Sequence, residues 1–115
     1  MNNFDKLTEE IVKFRDERDW KKFHNPKDCA ISLVLEAAEV LEHFQWKNEN
    51  EVAEYLKEYK EHIAKEIADV LYWVLLMSHD LDIDLSEVSE RKLEENRLKY
   101  PIEKAKGNHH KYSDL

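Results

Sequence analysis

Apolar residues recur three and four positions apart along most of the chain, the period of a helix with one dry face. Phe4, Leu7, Ile11 and Phe14 set this spacing and predict a first helix over residues 3–19. Trp20 to His24 read as a connector. Asn25-Pro26 then predicts a second helix, with Asn as N-cap, Pro at the first helical position and Asp28 in the first turn, running to about Trp46. Asn48 with Glu51 makes a capping-box start for a third helical region. Its stripe is Val52, Tyr55/Leu56, Tyr59, Ile63, Ile67 and Val70, and it extends to about His79. A helix of about thirty residues is about 45 Å long, longer than a lone domain of this size. The region therefore either breaks near Tyr59–Glu61 or runs on into an oligomer. Asp84 with Glu87 caps a fourth helix that continues to about Lys99, where Pro101 stops it. Residues 1–102 read as one helical domain and residues 103–115 as a polar, mobile tail. The expected fold is all-α, a four-to-five-helix subunit forming an antiparallel bundle completed by oligomerisation.

Composition supports that reading. The chain of 115 residues has one Gly and two Pro, too few breakers for a many-turned β architecture. At 42% hydrophobic and 38% charged residues it is too apolar for a disordered chain. The net charge of −8 is uneven: residues 1–90 hold 22 acids and 11 bases, residues 91–115 hold 4 acids and 7 bases. An acidic body argues against binding a nucleic-acid polymer, whereas a basic end suits a small anion. Cys29 is the sole cysteine and lies in an apolar helical pattern, so it reads as a small core residue. No secretory leader opens the chain and no charge-free stretch reaches membrane-spanning length, which leads to the expectation of a cytoplasmic protein with no membrane partner.

Four carboxylates do not belong to ordinary wet faces. In the run Ala30 to Leu41, apolar nearly all round, Glu36 and Glu39 lie within about 60° of each other at about 100° per residue. Ser32 and His43 share their stripe, with Leu33 and Val40 on one shoulder and Leu35 on the other. From Ile67 to Met77 the only charged residue is Asp69, with Glu66 three positions before it and Trp73 four after. A helix this apolar is expected to be buried on most sides, and a buried carboxylate must be paired, protonated or bound to metal. Two such pairs on packed helices would repel strongly unless a divalent cation sat between them. An all-oxygen donor set favours Mg²⁺, with Mn²⁺ as a substitute. The internal histidines His43, His62 and His79 have no Glu three positions before them, which disfavours a ferritin-like di-iron site.

The pattern Glu36-x-x-Glu39 followed by Glu66-x-x-Asp69 resembles the signature of the MazG-like, all-α nucleoside triphosphate pyrophosphohydrolases. Further motifs follow in the same order: Arg18-Asp19-Trp20-x-x-Phe23-His24-x-Pro26, Phe44-Gln45-Trp46 and Lys92-x-x-x-Asn96-x-x-x-Tyr100-Pro101. These look like the subgroup that contains the dCTP pyrophosphatases, and the resemblance covers about residues 4–107.

The resemblance implies a homodimer or homotetramer with Mg²⁺ on Glu36, Glu39, Glu66 and Asp69. It also implies hydrolysis of nucleoside triphosphates at the α–β bond, to monophosphate and pyrophosphate. Aromatic residues at helix ends would enclose the base; the matching positions are Trp20, Trp46 and Trp73, with His24 as a further contact. Lys92 and Asn96 match positions that contact the nucleotide or its phosphates. Relatives that prefer dCTP place a polar residue of helix 1 near the base, where this chain has Leu7 and Ile11. Glu39, then Glu36, is the candidate general base. Two alternatives stand beside this reading: a non-catalytic helical interaction protein, and a hydrolase of another pyrophosphate-containing nucleotide.

Overall fold

The computed structural model describes residues 3–115. It divides into two compact units, residues 3–82 and residues 83–115, each taken here by itself. Among the described residues there is no strand, in keeping with the all-α expectation.

The first unit holds α1 (Asn3–Glu17), a short 3-10 turn (Lys21–Phe23), α2 (Pro26–Glu42) and α3 (Glu49–Asp80). The starts of α2 and α3 follow from local chemistry. The Asn25 side chain accepts a hydrogen bond from the Asp28 N–H at 2.8 Å and so satisfies a first-turn donor that has no helical partner. At Asn48 the capping box is complete: its side chain accepts from the Glu51 N–H at 2.9 Å, and its own N–H donates to Glu51 Oε1 at 3.3 Å. α2 ends at Glu42, four residues short of Trp46, and the chain turns over residues 43–46. α3 does not break at Tyr59–Glu61. It is one helix of 32 residues, about 48 Å at 1.5 Å per residue. No Gly or Pro interrupts residues 49–80.

α1 and α2 each pack on α3, the second as a helical hairpin through the short turn. The core is small: Ile11 from α1, Cys29 from α2, and Ile63, Leu75 and Leu76 from α3. Burial pushes the Cys29 thiol up from its ordinary range, which keeps it protonated and unreactive. A charge also lies in this core. Arg15 of α1 is 1% exposed and makes a two-pronged bond to Asp80, at 2.7 and 3.0 Å. Meanwhile the apolar face of α2 is left open, with Ile31, Val34, Leu35 and Leu41 all exposed. Within the single chain the apolar surroundings of the carboxylates are therefore only partly buried. α3 covers one side of α2, and α1 packs on α3.

In the second unit α4 (Leu85–Lys99) is capped by the Asp84 side chain, which accepts from the Glu87 N–H at 3.2 Å. Pro101 follows the end of α4 and precedes a single-turn α5 (Ile102–Ala105). A last 3-10 turn, Tyr112–Asp114, brings Tyr112 edge-on to Tyr100 at 6.2 Å and under the Lys99 ammonium at 4.9 Å.

Candidate active site

The α2–α3 hairpin brings the two acidic pairs within electrostatic reach of one another. Glu36 shows this most clearly. Desolvation pushes its carboxyl above the ordinary range, and the charges of Glu39, Asp69 and Glu66 push it further in the same direction. Its Oε2 is buried and has no hydrogen-bond partner. Glu36 and Glu66 are half-buried, whereas Glu39 and Asp69 are exposed. The four are gathered but not closed: among the described residues, no three His, Cys, Asp or Glu donors converge into a ready-made metal cage. A buried, unpartnered oxygen among like charges nonetheless fits a hard cation, which would supply the missing partner and remove the repulsion.

Glu66 has a second neighbour. His43, at the end of α2, contacts Glu66 Oε2 through Nε2 and the Tyr55 hydroxyl through Nδ1, the latter at 2.5 Å. Burial, with help from Tyr59 and Glu66, pushes the Tyr55 hydroxyl above its ordinary range and keeps it an O–H donor.

On the same unit an aromatic cavity of about 350 Å³ is lined by Phe14, Trp20, His24, Asp69, Tyr72 and Trp73. α1 supplies Phe14, the connector supplies Trp20 and His24, and α3 supplies the rest. Its rings meet edge to face: Phe14 with Trp20 at 5.7 Å, His24 with Trp73 at 5.2 Å, and Tyr72 with Trp73 at 5.2 Å. Burial, and then the nearby Arg15 charge, lowers the His24 pKa, so its imidazole is neutral at pH 7. His24 Nδ1 is buried and has no partner.

Three of the expected base-binding residues, Trp20, His24 and Trp73, thus share one cavity with the acidic residue Asp69. Trp46 does not line it. It stands in the hairpin turn, 91% exposed, beside the start of α3. Trp73 lies 24 residues beyond Glu49 on that helix, about 36 Å along the axis. Within one chain, Trp46 therefore stands apart from the cavity that Trp20 and Trp73 share. Lys92 and Asn96 sit one turn apart on α4 in the second unit, where Lys92 pairs with Glu95 at 3.3 Å and Asn96 is half-buried.

Four residues near the site were not singled out from the sequence. Phe14 belongs to the dry stripe of α1, and Tyr72 lies in the apolar run around Asp69. Arg15 lies four positions after Ile11, on the dry stripe of α1, and a charge in that register was the available signal. His43 lies four positions after Glu39 on the carboxylate stripe, which placed it near the acids without giving it a task.

The MazG-like family matches residues 31–115, and the chain belongs to this family. It is 35% identical over 106 residues to dCTP pyrophosphatase 1 of Mus musculus and 33% identical over 106 residues to the Homo sapiens protein of that name. Each alignment covers 90% of this chain and 62% of the relative, so the chain spans about three-fifths of the length of these curated relatives. A crystal structure of a pyrophosphatase from Archaeoglobus fulgidus superposes with a TM-score of 0.82 at 39% identity, covering 88% of this chain and 94% of that one.

Proposed function

We propose that the chain hydrolyses nucleoside triphosphates between the α and β phosphorus atoms, releasing a monophosphate and pyrophosphate, with a dCTP-type preference. The observation that carries this reading is the double membership of Asp69. It is one of the three carboxylates acting on Glu36, and it also lines the aromatic cavity. A ring held by Trp20, Trp73, Phe14 and Tyr72 would therefore deliver its attached phosphates to the acids. The cavity volume is at the small end of the range of about 300–1,000 Å³ for ligand pockets, suited to one base. His24, neutral and unpartnered at Nδ1, can accept a hydrogen bond from an exocyclic amine or, in its other tautomer, donate one.

Glu36, Glu39, Glu66 and Asp69 are the residues that would hold Mg²⁺, or Mn²⁺ in its place. When bound, the cation neutralises phosphate charge and polarises the phosphoryl group. The rest falls to the chain. Glu39, exposed beside the half-buried Glu36, would take a proton from the attacking water and return it to solvent. Lys92 and Asn96, one turn apart on α4, are a cation and an amide of the kind whose N–H groups donate to phosphate oxygens. The buried Cys29 thiol, held protonated, is not available as a nucleophile. The test is a panel of ribo- and deoxynucleoside triphosphates with Mg²⁺, the products separated by chromatography. Monophosphate and pyrophosphate are expected, with dCTP among the best substrates. Diphosphate plus orthophosphate, with no contaminating phosphatase, would overturn the proposal.

The same reading makes the active species a homo-oligomer, a tetramer in preference to a dimer. Its support is the open face of α2, where Val34, Leu35 and Leu41 each remain more than three-fifths exposed. Light scattering at micromolar concentration decides it. A fully active monomer of 13.9 kDa would sink the idea.

A further inference from the structure

The contact between His43 and Glu66 crosses from the last turn of α2 to the middle of α3. A carboxylate can only accept, so the proton in that bond sits on His43 Nε2. The other nitrogen, Nδ1, faces the Tyr55 hydroxyl at 2.5 Å, so the imidazole is held at both nitrogens. The two bonds form one chain, Tyr55–His43–Glu66. The outer end is itself fixed: the Tyr55 ring stacks on Tyr59 at 4.4 Å with 22° between planes, and Lys47 Nζ lies 4.3 Å from the ring centre. The His43 side chain is 14% exposed and that of Glu66 27%, so water competes little for this bond. One Glu66 oxygen is committed to the imidazole and the other is free of it.

We propose that His43 is a positioning residue. It holds one oxygen of Glu66, with Tyr55 fixing the angle of the imidazole ring, so that the second oxygen is presented to the divalent cation. The inference rests on the reading of Glu66 as a cation ligand. Hydrogen-bond partners that orient a ligating side chain typically matter by about 10–100-fold in metal affinity or activity. A helix-to-helix strut with no such task would alter stability and leave metal affinity alone.

The test measures Mn²⁺ binding to the nucleotide-free protein by electron paramagnetic resonance, with the Mg²⁺ concentration for half-maximal turnover alongside. His43→Leu, which removes both bonds, is expected to weaken Mn²⁺ binding by about 10-fold or more. It should raise the half-maximal Mg²⁺ concentration in step, while kcat at saturating Mg²⁺ stays within about threefold. His43→Gln keeps an amide donor near the Nε2 position and should restore most of the affinity. Tyr55→Phe keeps His43 and removes only the outer bond, and should weaken binding by a smaller factor. It also decides the matter if His43→Leu fails to fold. Unchanged Mn²⁺ affinity in both His43→Leu and Tyr55→Phe overturns the proposal, as does a Gln variant no better than Leu. Glu66→Gln separates the two levels of the argument. If it binds Mn²⁺ like the parent protein, the ligand assignment itself is wrong. If it loses Mn²⁺ while His43→Leu does not, only the role of His43 falls.

Discussion

Glu36→Gln is expected to abolish turnover while raising the melting temperature of the metal-free protein. Both effects come from the same observation. Glu36 is desolvated, repelled by Glu39, Asp69 and Glu66, and left with an unpartnered oxygen. An amide of the same shape removes the repulsion and carries no charge to desolvate, so the fold gains. The cation loses a half-buried anionic ligand, and the activity loss should exceed the roughly 10–100-fold seen when only a partner of a ligand is removed. The pH dependence carries a sign. The folded chain holds the Glu36 proton more tightly than the unfolded chain does, so the stabilising state is the protonated one. That advantage is complete below the ordinary carboxylate pKa. It is lost as pH rises through the raised folded value. Melting curves without metal should show this decline in the parent protein and a flatter profile in Glu36→Gln. A variant that melts lower and keeps its activity would remove Glu36 from the site.

The largest expected effect on stability is elsewhere, at the Arg15–Asp80 pair. Breaking a buried ion pair by removing one partner costs about 3–5 kcal/mol, because the remaining charge is stranded. The two partners are not equivalent. The Arg15 side chain is 1% exposed, whereas that of Asp80 is 19% exposed. Asp80→Ala removes both hydrogen bonds of a guanidinium that water cannot reach and leaves it only Asp16 at 3.6 Å, so the loss belongs within that range. Arg15→Leu strands a carboxylate that solvent still touches, and should cost less. Replacing both with apolar residues should cost less than Asp80→Ala alone, since nothing charged is left behind. Urea denaturation of the three variants gives the order. Equal losses for the two single variants would mean that packing of the Arg15 stem, not its charge, holds α1 to α3. The Arg15 charge also helps keep His24 neutral, so Arg15→Leu should raise the His24 pKa, which proton NMR can follow.

Helix starts and the members of the acidic set were legible in the sequence because their signals are local. Asn25, Asn48 and Asp84 each cap the helix that follows, through bonds spanning three residues. The carboxylates stood out because charges interrupted apolar runs. The continuity of α3 was not legible. Residues 49–80 contain no breaker, and only an argument from compactness suggested one. That argument fails for a helix that need not fit within the width of its own subunit. Burial was overestimated at Glu39 and Asp69 for a related reason: periodicity tells which face of a helix is apolar, not which neighbour covers it. The Arg15–Asp80 bond joins residues 65 apart, and no local pattern pairs a given Arg with a given Asp over that distance. Trp46 was grouped with the other tryptophans through its motif, and a motif carries no information on how far along a helix axis its residues stand from one another.

Trp46 adopts a φ of +69°, in the left-handed region that favours glycine, and its ring is almost wholly in solvent. Within the chain, neither backbone preference nor packing recommends tryptophan there. Any procedure that ranks substitutions by folding stability, from consensus redesign to directed selection for heat resistance, would therefore mark this position first for change to Gly or Asn. It would discard the bulkiest aromatic group the hairpin turn has to offer a neighbouring molecule. An engineer seeking a hardier form of this protein should hold position 46 fixed and look for gains on the far sides of α1 and α4.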